Sequence, residues 1–426
     1  MRLVPNSSRF FIIIAIPLLA VASYLPTLTQ PFIEDDYPNI LLARHYGTPS
    51  GWLQMAHDPV NRVRATTFIL TNCIERIFGL RPAAFYSVSI LLHILNCCLV
   101  FALGRSPVVG FQVSKWSAAF FAIYEGHQEA VMWYSANNEL LLFFFGTLSL
   151  LCWLIFIEQE KPRRRWYLAS IGFFVLALLS KESAIIFVPL LFLPLLQSKT
   201  RRQRVWFLAP FVVLGIVYGM LIIKTRSYSF RFHDQSFELT APFWETWTES
   251  FFALLFPWGW LAIIALVIWQ RSRQVLTSAG IWISLSLMPY MFVGYMHRIP
   301  SRQIYLASAG LALIVGAAVV GLRERTVRSS RAWIAATILT IVLFHNFSYL
   351  WFRKHEQFLQ RAQPTEQLIA FVRDASGPVY VRCFPRPRII GDAAVEATLG
   401  MPAGTLIWDE DEARRKAASS FCYEPK

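Results

Sequence analysis

Three consecutive carboxylates, Glu34, Asp35 and Asp36, follow the first strongly apolar segment of the chain. Adjacent carboxylates repel each other, so one of them tends to hold a proton or to share a cation. Tyr37 and Pro38 come next and favour a turn that would hold the acids in place. Such a pair suits a general base that removes the proton of an acceptor hydroxyl, directly or beside a metal ion. The simpler alternative, a solvated helix end, stays open.

A second group of ionisable residues lies in the segment YEGHQEAVMWYSANNELL, which contains His127 and Glu129. These residues are two positions apart, so on a regular helix their side chains would diverge by about 200°. A site that uses both therefore requires a loop or a distorted turn. Asp36 and His127 are candidate metal ligands under this interpretation. The alternative is a solvated interfacial helix, with Trp133 and Tyr134 at the membrane surface.

Two further motifs place cations at the ends of apolar segments. Lys181 and Glu182 interrupt LLSKESAII, and Arg302 precedes an apolar segment in YMHRIPSRQIYLASAG. Ionisable residues at such positions are functional hypotheses, and the guanidinium group is well suited to binding a phosphate. These motifs favour an anionic partner, with a plain lipid-headgroup contact as the alternative.

The composition indicates a membrane protein. Of 426 residues, 55% are hydrophobic and 15% are charged, whereas soluble domains carry about 25% charged residues. The formal net charge of +14 comes largely from short basic loops between apolar segments, such as KPRRR and KTRRQR. That distribution is typical of cytoplasmic loops in membrane proteins and argues against nucleic-acid binding.

Each membrane span needs about 20 mostly apolar residues, and the sequence predicts about eleven of them. Arg2 and Arg9 place the N-terminus in the cytoplasm, and the strongly basic loops then fall on the same side, with the C-terminus outside. The predicted fold class is therefore an all-α polytopic membrane protein. The spans are 9–29, 83–104, 108–124, 138–157, 166–180, 183–196, 205–223, 251–270, 276–295, 304–322 and 332–351.

The chain divides into a membrane domain over residues 1–351, with a large outer loop at 30–82, and an outer tail over 352–426. The tail alternates a helical pattern, TEQLIAFVRDA, with the strand-like segments PVYVRCF and GTLIWD, which predicts a small α/β unit. If this tail lies in an oxidising compartment, Cys383 and Cys422 could pair as a disulfide.

Four motifs together resemble a known family. In chain order, EDDYPN, GHQEAVMWYSANNELL, LLSKESAI and RQIYLASAGLAL resemble segments of the GT-C superfamily of polytopic glycosyltransferases. The nearest likeness is to the protein O-mannosyltransferase branch that carries tetratricopeptide repeats. The resemblance covers residues 10 to 320, and the chain departs from that branch in lacking the repeats.

The resemblance implies a sugar donor linked to a polyprenyl phosphate and transfer with inversion outside the cytosol. It implies that Asp35 and Asp36 carry the chemistry, and Asp35 is favoured as the base because it leads the pair. The other matched residues are implied to bind substrate: Arg64, His127, Glu129, Lys181, Glu182, Arg302 and Tyr305.

Two departures bear on these implications. Ala65 follows Arg64 where the family has a proline, and Asn137 stands where the family has an arginine. The sequence therefore predicts a hexosyl- or pentosyltransferase of a bacterial inner membrane, with Mg²⁺ or Mn²⁺ as a candidate cofactor. Its acceptor would be a glycan, a lipid or a protein. A transporter of a lipid-linked sugar and a non-catalytic assembly partner are the alternatives.

Overall fold

The structure, a computed structural model, describes residues 14–55, 64–197, 202–226, 241–270, 272–292, 299–326, 332–402, 404–416 and 418–425. Helices dominate these ranges. The helices before the tail are α1 Ile16–Tyr24, α2 Asp36–Tyr46, α3 Pro49–Met55, α4 Ala65–Phe78, α5 Pro82–Ala102, α6 Gly110–Ile123, α7 Gln128–Met132, α8 Asn137–Glu158, α9 Arg164–Leu178, α10 Phe187–Phe192, α11 Ala209–Arg226, α12 Phe243–Leu255, α13 Trp258–Ile268, α14 Arg273–Leu287, α15 Ser308–Thr326 and α16 Ala332–Ser348.

Among the described residues, three helical stretches are long and apolar enough to cross a bilayer. They are Pro82–Arg105, Tyr134–Glu158 and Trp333–Asp374, and the bent pair α12 and α13 would make a fourth. Each predicted span contains a helix within its described part. Most of these helices are shorter than a full crossing, so the count of about eleven spans stays a prediction.

The span predicted at 251–270 is not a single straight helix. The chain bends by 78° between α12 and α13. Phe256 adopts an extended conformation there, with φ −83° and ψ 135°. Pro257 follows it, and a proline disfavours the helical conformation of the residue before it. Hydropathy does not register this effect, because the apolar character continues through the bend.

Small residues allow the central helices to pack closely. A Cβ on Gly316 of α15 would collide with Ser117 of α6, so only glycine permits this approach of the two backbones. In a second contact, the Ser149 hydroxyl of α8 donates a hydrogen bond of 2.8 Å to the Ser170 carbonyl of α9. Both contacts are typical of helix pairs in membranes, where small and hydroxyl side chains bring helices together.

The tail forms a small α/β unit, as its sequence pattern predicts. Its elements are α17 His355–Asp374, β1 Val379–Cys383, α18 Arg388–Leu399, β2 Leu406–Ile407, α19 Glu410–Arg415 and β3 Ser419–Cys422. Strand β1 is central and pairs in parallel with both β2 and β3. Cys383 and Cys422 form a disulfide between β1 and β3, with Cα atoms 4.6 Å apart.

The tail packs directly on the first loop. Apolar side chains of α2 and the preceding loop form one buried cluster with α17 and α18, which includes Phe32, Ile40, Ile369 and Ala394. The Arg44 guanidinium also donates to the Ala397 carbonyl at 2.9 Å. A helical stretch runs unbroken from Trp333 to Asp374 through a π-helical turn, Tyr349–Lys354. The tail is therefore attached both through the chain and through this contact surface.

Candidate active site

Asp36 is the buried member of the acidic loop. It is 0% exposed, and its Oδ2 accepts a hydrogen bond from the Ile33 amide at 2.9 Å. Its Oδ1 accepts from the amide and the hydroxyl of Ser135 at 2.7 and 2.6 Å. Burial raises the pKa of Asp36 to about 7, although these hydrogen bonds act in the opposite direction. Asp36 therefore fastens the acidic loop to the segment that precedes α8.

Asp35 is the exposed member of the pair. It stands at the N-cap position of α2 without a side-chain capping bond. The start of the helix directs two adjacent carboxylates into different surroundings, one into the protein and one toward solvent. Of the two residues, Asp35 is thus the one that an acceptor hydroxyl could reach.

Glu34 connects the acidic loop to the tail. It adopts a left-handed backbone conformation, with φ +44°. Its carboxylate accepts a hydrogen bond from Arg361 of α17 at 2.8 Å and forms an ion pair with Arg386, just before α18, also at 2.8 Å. Two guanidinium groups from a distant part of the chain therefore reach the loop that carries Asp35.

Trp133 lies where three segments meet. Its indole N–H donates to the Ile33 carbonyl of the acidic loop at 3.3 Å. The guanidinium carbon of Arg302 lies 4.9 Å from its ring centroid, and that of Arg361 lies 4.5 Å away. Both contacts are cation–π interactions. The indole thus holds two positive charges beside the acidic loop.

Glu129 and Arg302 are brought together, as a joint role in the site requires. The Arg302 amide donates to Glu129 Oε2 at 3.2 Å, and Nη1 of Arg302 lies 3.6 Å from the same oxygen. We call Glu34, Glu129, Trp133, Arg302, Arg361 and Arg386 the tryptophan cluster.

His127 lies in the protein core, away from solvent. Its Nε2 is 2.6 Å from the Ser308 hydroxyl, which itself donates to the Tyr305 carbonyl at 2.6 Å. Its ring packs 4.3 Å from that of Phe121 and 4.6 Å from that of Tyr305. Burial holds the pKa of His127 well below its ordinary value, so the imidazole is neutral. His127 and Glu129 diverge, as their spacing predicts.

Within the part of the chain that the structure describes, no group of three or more His, Cys, Asp or Glu side chains is arranged to hold a metal. Asp36 and His127, the predicted ligands, have separate partners: Ser135 and Ile33 bind the first, and Ser308 binds the second. This arrangement does not fit a metal shared by the two residues. A divalent cation stays a prediction from the sequence.

Lys181 and Glu182 belong to a second polar group. The Lys181 ammonium is 6% exposed and forms an ion pair with Glu139, which also accepts from the Tyr290 hydroxyl at 3.1 Å. Arg64 reaches Glu182 with two guanidinium nitrogens, at 2.9 and 3.3 Å. Burial lowers the pKa of Lys181, and Glu139 opposes that effect. Lys181 is enclosed together with its carboxylate partner, and Arg64 is bound to Glu182 through two nitrogens, so this group is built as a structural ion-pair network.

Sequence reasoning missed three members of the tryptophan cluster. Arg361 and Arg386 lie in the tail, where no motif marks them, and the sequence assigns Trp133 a place only in the alternative of an interfacial helix. Glu34 was noticed as an acid but not as a link to the tail. A useful signal was the position of Trp133, because it stands four residues after Glu129 within a matched motif.

Comparisons with known proteins agree with this architecture. The sequence profile of the family described as dolichyl-phosphate-mannose-protein mannosyltransferase matches residues 66–228. That range includes Glu129 and Lys181 but not Asp35 or Arg302. No curated protein sequence matches the chain significantly.

Three solved structures are similar over almost the whole chain. The apo crystal structure of ArnT from Cupriavidus metallidurans has a TM-score of 0.58 at 12% identity, covering 97% of this chain and 88% of ArnT. ArnT bound to undecaprenyl phosphate has a TM-score of 0.54 at 12% identity, covering 98% and 90%. The archaeal oligosaccharyltransferase AglB from Archaeoglobus fulgidus, in complex with an inhibitory peptide and a dolichol-phosphate, has a TM-score of 0.57 at 10% identity, covering 96% and 65%.

These comparisons confirm the resemblance to GT-C glycosyltransferases and, consistently, to the O-mannosyltransferase branch. At identities this low, the structural likeness establishes a shared fold. The chain has that helical fold, with described helices long and apolar enough to cross a membrane and a small three-stranded sheet in its tail.

Proposed function

We propose that this protein transfers a sugar from a polyprenyl-phosphate donor to an acceptor hydroxyl, with inversion at the anomeric carbon. The observation that carries the proposal is the tryptophan cluster, in which guanidinium groups that suit a phosphate lie against the loop that carries the exposed Asp35. The similarity to ArnT, which has been crystallised with undecaprenyl phosphate, supports the class of donor. The proposed sugar is a hexose or a pentose, and the proposed acceptor is a glycan, a lipid or a protein.

In the proposed reaction, Asp35 accepts the proton of the acceptor hydroxyl as the acceptor oxygen bonds to the anomeric carbon. The bond from that carbon to the phosphate oxygen breaks, and its electron pair stays on the phosphate. The products are the glycosylated acceptor and a polyprenyl phosphate with one additional negative charge. Arg302 is placed to stabilise that charge as it develops. Asp36 positions the loop through its bonds to Ser135.

The structure favours Arg302 over Lys181 as the contact to the donor phosphate. Arg302 remains partly exposed, with 28% of its side chain accessible, whereas Lys181 is enclosed with Glu139. Removing a buried ion-pair partner would leave an uncompensated charge, which costs about 3–5 kcal/mol. Lys181 and Arg64 are therefore proposed to maintain the shape of the site and to act on substrate only indirectly.

A transfer assay tests the function. Purified protein in detergent, given a set of polyprenyl-phosphate sugars and candidate acceptors, should release polyprenyl phosphate and form a glycosylated product, both detected by mass spectrometry. A transporter of lipid-linked sugar would move the intact donor across liposomes without releasing polyprenyl phosphate. A non-catalytic partner would do neither.

We also propose about eleven spans in a bacterial inner membrane, with the N-terminus in the cytoplasm and the tail outside. A reporter that is active only outside the cytosol should work when it is fused after Lys426. The same reporter should be silent when it is inserted in the basic loop KPRRR, because positive loops are retained in the cytoplasm. Activity at both sites, or only in the basic loop, would overturn this orientation.

A further inference from the structure

Glu34 is shared by two guanidinium groups. Its Oε2 binds Nη2 of Arg361 at 2.8 Å, and its Oε1 binds Nη2 of Arg386, also at 2.8 Å. The Nε of Arg361 adds a longer contact of 3.3 Å. One carboxylate therefore faces two positive charges, and it would keep a cationic partner if Arg361 turned to another anion.

Arg361 also packs against the Trp133 indole, which Arg302 contacts as well. Their guanidinium carbons lie 4.9 and 4.5 Å from the Trp133 centroid, so these two carbons are at most 9.4 Å apart. About a quarter of each side chain is exposed, 25% for Arg361 and 28% for Arg302. Two like charges held this close repel, and an anion that contacts both would relieve that repulsion.

We propose that Arg361, carried by the tail, is a second phosphate-binding residue of the donor site. Glu34 holds its guanidinium in place until the donor arrives. This inference rests on the proposed function, because the anion is the phosphate of a polyprenyl-phosphate sugar. When the sugar leaves, the phosphate changes from a singly charged diester to a monoester with an additional charge, and Arg302 alone would face it. A second guanidinium group would stabilise that added charge through paired hydrogen bonds to the phosphate.

The test compares two variants that a structural role and a binding role affect differently. If the Glu34–Arg361 pair only docks the tail, Glu34→Gln and Arg361→Ala remove the same contact and should weaken phosphate binding alike. If Arg361 binds phosphate, Glu34 competes with the donor for it. Arg361→Ala should then weaken binding by about 10- to 100-fold, the range of a lost charge-assisted hydrogen bond. Glu34→Gln should instead strengthen it.

The measurement is the dissociation constant of undecaprenyl phosphate for the full-length protein in detergent, by native mass spectrometry, with thermal unfolding of each variant. Arg361→Lys keeps the charge and the fold. It should weaken binding to an intermediate degree, because an ammonium cannot form the paired contacts of a planar guanidinium. Arg388→Ala is the matched control, since Arg388 lies in the tail and pairs with Asp392 of its own helix. It should bind as the wild type does.

Equal weakening in Glu34→Gln and Arg361→Ala overturns the inference in favour of a docking role. Wild-type binding in Arg361→Lys or Arg361→Ala also overturns it, and the proposed function stands if the wild type still binds the lipid phosphate and transfers sugar. A wild-type protein that neither binds undecaprenyl phosphate nor transfers sugar refutes the proposed function and this inference with it.

Discussion

Asp35→Asn is expected to lower the turnover of sugar transfer by about 10² to 10⁴, the usual contribution of a general base. Asparagine keeps the size of the side chain but cannot accept the proton of the acceptor hydroxyl. Because Asp35 is exposed at the start of α2, the change should leave thermal unfolding and donor binding close to wild type. Turnover at saturating donor, measured beside the unfolding temperature, checks both parts.

Asp36→Asn is the companion variant, and we expect it to lose activity because the protein is destabilised. The Asp36 carboxylate accepts hydrogen bonds from the Ile33 amide and from two donors of Ser135. The NH₂ group of asparagine would have to face one of these donors, and an unmade hydrogen bond in a buried position costs about 1–3 kcal/mol. The unfolding temperature should therefore fall together with activity. Full activity in both variants would end the catalytic interpretation of this loop.

Arg302→Ala is expected to weaken the use of donor by about 1.5–3 kcal/mol, or roughly 10- to 150-fold. Arg302 binds Glu129 and lies over Trp133, so its guanidinium is already oriented before any donor is present. Arg302→Lys should restore little, because lysine cannot form the paired contacts of a planar guanidinium. The KM for the donor and the turnover number, measured separately, show whether the loss is in binding or in the chemical step.

Arg323→Ala provides a control for that experiment. The Arg323 guanidinium also lies over an indole, 5.4 Å from the Trp116 centroid, but it stands in the last turn of α15, outside the tryptophan cluster. Its loss should leave the donor KM unchanged. If Arg302→Ala and Arg302→Lys both keep the wild-type KM as well, Arg302 contacts only lipid headgroups.

The general architecture could be predicted from the sequence because it follows from local patterns. Long apolar segments predict the helices, and the alternation of apolar and polar residues predicts β1 in the tail. Glu129 and Arg302 come from separate matched motifs, and their contact was not predicted. The bend at Phe256 could not be predicted from hydropathy, because a proline interrupts a helix while the apolar character of the segment continues.

The finer parts of the site depend on contacts between distant segments. Sequence could not separate Asp35 from Asp36, because the burial of Asp36 is set by Ser135, 99 residues further along the chain. His127 belongs to a motif rich in ionisable residues, yet the packing of Phe121 and Tyr305 keeps it neutral in the core. No local pattern in the tail indicates that Arg361 would reach the first loop.

The contact between Glu34 and Arg361 also has a consequence for the synthesis of the protein on the ribosome. These residues are separated by 327 positions, and ribosomes add about 5–20 residues per second, so the acidic loop precedes its partner by roughly 15–65 s. During that interval a nascent chain already contains its carboxylates but lacks the guanidinium groups of the tail. A chain whose synthesis stops before α17 would therefore carry every recognised motif and still have an incomplete centre.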